Sequence, residues 1–105
     1  MDLKQIHHVA ILASDYKKTK EFYVEKLGFE VIRDVYREDR DDYKIDLQLG
    51  DCELEVFVVK NAPPRPNYPE ALGLRHLAFT ADSTESTHTS KIINSLLEFD
   101  RKIIA

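Results

Sequence analysis

The sequence has little of what secreted, nucleic-acid-binding or membrane proteins need. It contains one cysteine, Cys52, so no disulfide can form within the chain. Its 15 lysines and arginines are outnumbered by 19 aspartates and glutamates, and no basic stripe recurs, which argues against a nucleic-acid partner. No apolar run approaches the roughly 20 residues that span a bilayer, and the opening residues do not resemble a signal peptide. These absences favour a cytoplasmic protein that works without nucleic acid or membrane.

The first half of the chain has the pattern of one βαβββ unit. Residues 5–13 are β-branched and apolar enough for a buried strand, and Ser14-Asp15 can cap a helix. A helix over 16–27 is predicted because its apolar residues are spaced by three and four, and Gly28 suits its end. Three extended runs follow, at 29–37, 43–49 and 53–59, the last two joined by a predicted turn at Gly50-Asp51.

The second half begins with a connection. All four prolines lie between 60 and 73, a stretch that therefore cannot form a regular helix or ladder. Residues 74–81 predict a further strand. Asp82 with Glu85 three residues later predicts the capped start of a second helix, whose apolar stripe would include Ile92 and Leu96.

A short repeat links the two halves. The string from His8 to Asp15 reappears from His76 to Ser83, each time as a strand that leads into a capped helix. The repeat predicts an α+β fold in which two βαβββ modules, 1–59 and 74–105, pair within one domain of 105 residues. Only 101–105 remains for the last three strands of the second copy, so the second module is expected to be incomplete.

Strand parity suggests where chemistry could occur. Successive residues of a strand point to opposite faces, so apolar neighbours that pack against a helix send His8, Glu55 and His76 to the other face. Two imidazoles and a carboxylate are donors that suit Zn, Ni, Mn, Fe or Co in the divalent state. From the residues alone, packing histidines and a solvated glutamate remain open as alternatives.

Four strings in the expected order resemble the vicinal oxygen chelate superfamily, which includes glyoxalase I, bleomycin-resistance proteins, methylmalonyl-CoA epimerase and extradiol dioxygenases. The resemblance covers residues 3 to 82 and implies paired modules that form a cup-shaped mixed sheet. The strings are HHVAI at 7–11, EFYVEKLGF at 21–29, LEVF at 54–57 and GLRHLAF at 73–79.

The same resemblance implies a metal centre. In metal-dependent members the ligands lie on the first and fourth strands of each module, which correspond here to His8, Glu55 and His76. One divalent metal ion is therefore expected, with Glu55 as a candidate base. The family's fourth ligand would fall near position 123, which this sequence does not have, so activity is expected to be impaired unless a partner supplies it.

The implied activity is that of a glyoxalase I-like lyase or isomerase, in which the ion chelates two neighbouring oxygens of a small substrate and stabilises a developing enediolate. Two alternatives stay open. One is a non-catalytic, resistance-type module that binds a small molecule without metal. The other is an Fe(II) dioxygenase-like protein that uses two histidines and a carboxylate.

The remaining expectations concern substrate and partner. Arg37, Arg40 and Lys44, together with Arg33, could gather at the rim of the cup and hold an anionic substrate, although charged residues at sheet edges also serve solubility. His7 has the parity of packed neighbours and is predicted to be structural. An incomplete second module would leave edges exposed, so a homodimer is expected, with His76 donated between subunits.

Overall fold

The computed structural model describes residues 1–66 and 68–80. The chain divides into two compact units, Met1–Ala62 and Pro63–Ala105. Within the described residues, all regular helices and strands belong to the first unit. They are β1 (His8–Ala13), α1 (Tyr16–Lys20), which continues as a π-helical segment (Glu21–Lys26), β2 (Glu30–Arg37), β3 (Asp42–Leu49) and β4 (Cys52–Val58).

The four strands form one mixed sheet in the order β1-β4-β3-β2. β1 pairs in parallel with β4, whereas β3 pairs antiparallel with both β4 and β2. The parallel pair requires the chain to cross over between its strands, and the helix and the two intervening strands provide that connection. The predicted βαβββ order is therefore confirmed.

The helix begins and ends where its sequence signals stand. Asp15 caps it, because its Oδ1 accepts a hydrogen bond of 2.8 Å from the backbone N–H of Lys18. Gly28 follows the helix with φ of 79°, the left-handed conformation that glycine adopts without steric cost. The π-helical second half was not predicted; its last bond runs from the N–H of Leu27 to the carbonyl of Phe22.

The core lies between the helix and one face of the sheet. Thr19, Phe22 and Tyr23 of the helix are buried, as the apolar spacing predicts. The opposing sheet face is equally apolar and equally buried. Its buried residues are Ile11, Ala13, Ile45, Leu47, Leu54, Val56 and Val58, and Phe29 closes the core after the helix.

A polar contact also ties the helix to β2. Asp34 lies on the packed side of the sheet, where it accepts hydrogen bonds from the Tyr16 hydroxyl at 2.5 Å and from Lys20 Nζ at 2.9 Å. The hydrogen bond to Asp34 is the main cause of the raised pKa values of both Tyr16 and Lys20. These two hydrogen bonds satisfy the Asp34 carboxylate, which lies beside the apolar core.

A register shift in β2 corrects the predicted alternation of that strand. Val31 pairs with Leu47, but Arg33 pairs with Asp46, so Ile32 is an extra residue in the ladder. Val31 and Arg33, which the alternation places on one face, therefore lie on opposite faces. The bulge places Arg33, Val35 and Arg37 on the side of the sheet that faces away from the helix, and Asp34 and Tyr36 on the packed side.

The second unit differs from the sequence expectation where it is described. Residues 63–73 contain no helix or strand among those described, as predicted from their prolines. The strand predicted at 74–81 is wrong over 74–80, which has no regular structure. A strand requires a hydrogen-bonded neighbour, and the described part of this unit offers none. The predicted helix after Asp82, His88 within it and the stub at 101–105 lie outside the described residues.

None of the helices in the described ranges has the length and apolar character needed to cross a membrane.

Candidate functional site

The sheet has a second face, turned away from the helix, which we call the open face. Residues that pair in register point to the same side of a sheet, so the strand pairing defines this surface. It is strongly polar, in contrast to the packed face. Its residues are His8, Ala10, Leu12, Glu30, Arg33, Val35, Arg37, Asp42, Lys44, Asp46, Gln48, Glu53, Glu55 and Phe57.

His8 and Glu55 meet on the open face. They lie on the adjacent strands β1 and β4, and His8 Nε2 is 3.8 Å from Glu55 Oε2. Ala10 pairs with Glu55 in the register, and its small side chain leaves room beside the carboxylate for the imidazole. The prediction that parity directs both residues away from the helix is confirmed, because Val9, Ile11, Leu54 and Val56 take the packed side.

His7 corrects the expectation that it packs structurally. Its side chain is 76% exposed, so it does not belong to the core. Its Nδ1 is 2.9 Å from Nδ1 of His8, and the two rings meet edge to face. Its Nε2 is 4.0 Å from Glu53 Oε2. His7 precedes the first residue of β1, so the strict alternation of a strand does not apply to it.

Asp46 is the most deeply buried carboxylate of the open face. It stands beside Glu55 in the register and would repel that carboxylate if it were unpaired. Arg33 Nη1 lies 3.4 Å from its Oδ2, and Lys44 Nζ lies 3.1 Å from its Oδ1. The two cations balance Asp46, so Glu55 has a neighbour whose charge is already compensated.

Arg37 and Asp42 form a second pair at the far end of the open face. The guanidinium donates two hydrogen bonds to the carboxylate, Nε to Oδ1 at 2.7 Å and Nη2 to Oδ2 at 2.6 Å. These bonds are the main reason that the pKa of Asp42 lies below its ordinary value. Arg37 also lies over the ring of Phe57, with its Cζ 4.8 Å from the ring centroid.

The lowered pKa of Asp42 predicts an acid-dependent loss of stability. A carboxylate with a depressed pKa stabilises the fold above its ordinary pKa, and that contribution disappears as the pH falls through the folded-state value. We expect Asp42→Asn to be less stable than wild type at pH 7, and the gap to narrow below about pH 4. Urea denaturation curves of both proteins between about pH 3 and pH 7 measure this difference in stability. Asp51→Asn, in an exposed turn, is the control, and a gap independent of pH would contradict the assignment.

The other predicted substrate residues occupy different settings. Arg37 and Lys44 both reach the ring of Phe57, with Lys44 Nζ 6.0 Å from its centroid, so two cations and an aromatic ring adjoin on the open face. Arg40 lies instead in the exposed turn between β2 and β3, where its N–H bonds the carbonyl of Arg37. Of the four cations expected to gather at one rim, Arg33, Arg37 and Lys44 therefore lie on the open face of the first unit, and Arg40 does not.

His76 belongs to the second unit. It is exposed, in a segment without regular structure, and Arg75 beside it pairs with Glu70 at 2.7 Å. Across residues 1–66 and 68–80, no group of three histidine, cysteine, aspartate or glutamate side chains is assembled as a metal site. The pair of His8 and Glu55 is what the first unit brings together of the predicted ligand set.

That pair nevertheless fits one side of a metal coordination sphere. Two donors bound to the same ion at about 2.0–2.2 Å lie roughly 3 to 4 Å apart, depending on the angle at the metal. The separation of 3.8 Å between His8 Nε2 and Glu55 Oε2 falls in this interval. An imidazole nitrogen with a carboxylate oxygen suits the borderline divalent ions, whereas calcium or magnesium would favour oxygens alone.

Two residues of the open face, Asp46 and Phe57, were not among the predicted site residues. Asp46 and Phe57 could have been found, because each alternates with apolar residues of a strand whose packed face was correctly predicted. Arg33 was expected at the rim of the cup, but its place on the open face depends on the bulge, for which the sequence carries no signal. His7 carried a misleading signal, since its position relative to Val9 imitates that of a packed residue.

Comparison with known proteins gives concordant matches. The model of the Glyoxalase/Bleomycin resistance protein/Dioxygenase superfamily matches residues 5–90. YwkD, an uncharacterised protein of Bacillus subtilis, is 56% identical over 86 residues, covering 81% of this chain and 67% of YwkD. YaeR, an uncharacterised protein of Escherichia coli, is 49% identical over 87 residues, covering 82% of this chain and 67% of YaeR. The crystal structure of a glyoxalase family protein from Enterococcus faecalis superposes with a TM-score of 0.78 at 54% identity, covering 91% of this chain and 75% of that one.

Proposed function

Because this chain belongs to the Glyoxalase/Bleomycin resistance protein/Dioxygenase superfamily, we propose that it is a glyoxalase I-like lyase or isomerase. Its substrate would be a small molecule with two neighbouring oxygens, bound with the help of one divalent metal ion. The observation that carries the proposal is the approach of His8 Nε2 to Glu55 Oε2, at 3.8 Å, on the open face of the sheet. A histidine and a glutamate on adjacent strands supply two of the ligands that such a site needs.

His8 and Glu55 would hold the ion, with His76 as the third ligand. Zn, Ni, Mn, Fe and Co in the divalent state all suit this donor set. When bound, the ion supplies a Lewis acid that polarises the two substrate oxygens. We propose that His76 comes from the second module of the same chain or of a partner subunit in a homodimer.

Glu55 would also move the proton. A carboxylate has two oxygens, and we assign Oε2, which faces His8, to the ion and Oε1 to proton transfer. In an isomerisation the proton leaves the carbon beside one substrate oxygen and returns to the neighbouring carbon, so no further reactant is consumed. The compensated charge of Asp46 supports this role, because it limits the repulsion that would otherwise oppose an ionised Glu55.

Arg37, Lys44 and Phe57 would orient the substrate. Their side chains adjoin on the open face, with Lys44 and Phe57 in the same-face register row next to that of Glu55 and Arg37 in the row beyond it. The ring offers an apolar surface, and the two cations favour a substrate with negative charge. Since Asp42 and Asp46 already engage these cations, we expect only a modest gain in affinity for an anionic substrate. Arg40, in the neighbouring turn, is a weaker candidate for the same role.

A non-catalytic binding module is the second candidate. The observation that favours it is the lack of a three-ligand group among the described residues. In that case the open face would bind a small molecule through Phe57 and the cations beside it, without metal.

Metal titration of the purified protein distinguishes the two candidates. The chain is freed of metal with a chelator and titrated with Zn²⁺, Ni²⁺, Mn²⁺ and Co²⁺ by calorimetry, and retained metal is measured by plasma mass spectrometry after dialysis. We expect one ion per chain for at least one of these metals. His76→Ala should reduce retention while the circular dichroism spectrum is preserved. A wild-type protein that retains none of the metals would overturn the enzyme proposal in favour of metal-free binding.

A further inference from the structure

We propose that His7 is a positioning residue for His8. In this arrangement His8 donates from Nδ1 to Nδ1 of His7, which leaves the Nε2 lone pair of His8 facing Glu55. The inference rests on the proposed function, because it gives His8 the role of a metal ligand. His7 itself is not one of the proposed ligands. The side chains of Glu53, His7, His8 and Glu55 follow one another along the edge of the open face.

The central observation is the contact between the two imidazoles. Their Nδ1 atoms are 2.9 Å apart, within hydrogen-bonding distance, and the rings are inclined at 85°. A hydrogen bond between two nitrogens needs one N–H and one lone pair, so only one of the two Nδ1 atoms carries the proton.

The surroundings decide which nitrogen donates. A neutral imidazole has one N–H, and a metal ligand must present a lone pair. If His8 uses the nitrogen nearest Glu55, which is Nε2 at 3.8 Å, its proton must be on Nδ1. His7 then accepts at Nδ1 and carries its own proton on Nε2, the atom that lies 4.0 Å from Glu53 Oε2. The His8 N–H thus has an acceptor in His7, and the His7 N–H lies on the side of its ring nearest Glu53, beyond direct hydrogen-bonding distance.

Backbone pairing places His7 for this role. Its carbonyl accepts a hydrogen bond of 3.0 Å from the N–H of Glu53, so the parallel ladder between β1 and β4 extends one residue before β1. The same bond brings His7 and Glu53 side by side. Because the His7 ring is largely exposed, packing does not fix its orientation, and the polar contacts with His8 and Glu53 are the interactions that can.

The general chemistry of metal sites supports the assignment. A histidine ligand usually donates its other ring N–H to an outer partner, which fixes the tautomer and the ring orientation. Losing such a partner typically lowers metal affinity about 10- to 100-fold. We expect the lower end of that range here, because water competes for an exposed hydrogen bond.

Three variants of His7 provide a matched test. Asparagine retains an acceptor at the position of Nδ1, glutamine retains a polar atom only at the position of Nε2, and alanine retains neither. We expect His7→Ala and His7→Gln to weaken metal affinity about tenfold. His7→Asn should bind close to wild type. Rescue by asparagine alone would separate a hydrogen bond at Nδ1 from a general effect of the side chain.

The tautomer of His8 gives a second readout that does not depend on activity. Long-range ¹⁵N-¹H correlation spectra of the metal-free protein should show a larger fraction of His8 protonated on Nδ1 in wild type and His7→Asn than in His7→Ala, although the Glu55 carboxylate near Nε2 favours the other tautomer in all three. An equal fraction of His8 protonated on Nδ1 in wild type and His7→Ala, or equal metal affinity in all three variants, overturns the inference. Failure of wild type to bind metal, with the Nδ1 tautomer still present, would overturn the ligand role instead and leave the contact between the imidazoles standing.

Discussion

Replacing Glu55 with glutamine is expected to lower the affinity for the bound divalent metal by more than about 100-fold, because loss of an outer-shell partner alone typically costs 10- to 100-fold. Glutamine keeps the size of the side chain and removes the negative charge. Of the two candidate ligands on the open face, Glu55 is the one that brings a formal charge to the ion. His8→Ala should have an effect of the same order, since it removes the donor that lies 3.8 Å from Glu55 Oε2.

Calorimetric titration of wild type, Glu55→Gln and the control variant Glu38→Gln with the metal measures the change in affinity. Glu38 lies in the exposed turn between β2 and β3, so the control loses the same charge away from the site. Circular dichroism of both variants should match wild type, because neither glutamate contributes to the buried core. If Glu55→Gln and Glu38→Gln bind the metal equally well, Glu55 is not a ligand.

Replacing Ile45 with alanine is expected to destabilise the fold by about 3 kcal/mol, within the 2–5 kcal/mol typical of such truncations in a core. Ile45 is 0% exposed in the middle of β3, and its register partners Asp34 and Val56 flank it on the packed face. Deleting most of its side chain leaves a cavity where helix and sheet meet. That loss is a large share of the total stability of a small domain, which is about 5–15 kcal/mol.

Leu49→Ala is the matched control on the same strand. By the alternation of a strand Leu49 lies on the same face of β3 as Ile45, but it is 45% exposed at the strand's end. We expect Leu49→Ala to cost less than about 1 kcal/mol, because nearly half of the Leu49 surface already contacts water. Urea denaturation followed by circular dichroism measures both. Equal losses for the two variants would mean that the centre of β3 is not the centre of the core.

The first module could be predicted because its local signals agree with its tertiary environment. Leu54, Val56 and Val58 alternate with polar residues, and the sheet uses that alternation to separate a buried face from an open one. The helix carries a cap at Asp15 and a glycine at 28, and both are used as such. The approach of His8 to Glu55 follows from the same parity once β1 and β4 are adjacent.

The bulge in β2, the setting of His7 and the lack of a strand at 74–80 could not be predicted, because none of them has a signature in the local sequence. An extra residue at Ile32 changes the face of everything after it, and a register shift becomes visible only when two strands are paired. His7 departs from strand parity because it lies just outside β1. The segment 74–80 has the composition of a strand, but strand propensity is realised only where a neighbouring strand pairs with it.

X-ray absorption spectroscopy of the protein loaded with one equivalent of Zn²⁺ tests the metal site most directly, because it reports the atoms that surround the ion. We expect nitrogen and oxygen ligands at about 2.0–2.2 Å with the scattering signature of imidazole. That signature should weaken in His8→Ala, and oxygen scattering should weaken in Glu55→Gln. A spectrum without imidazole, or one that neither substitution changes, would contradict the assignment of His8 and Glu55 as metal ligands.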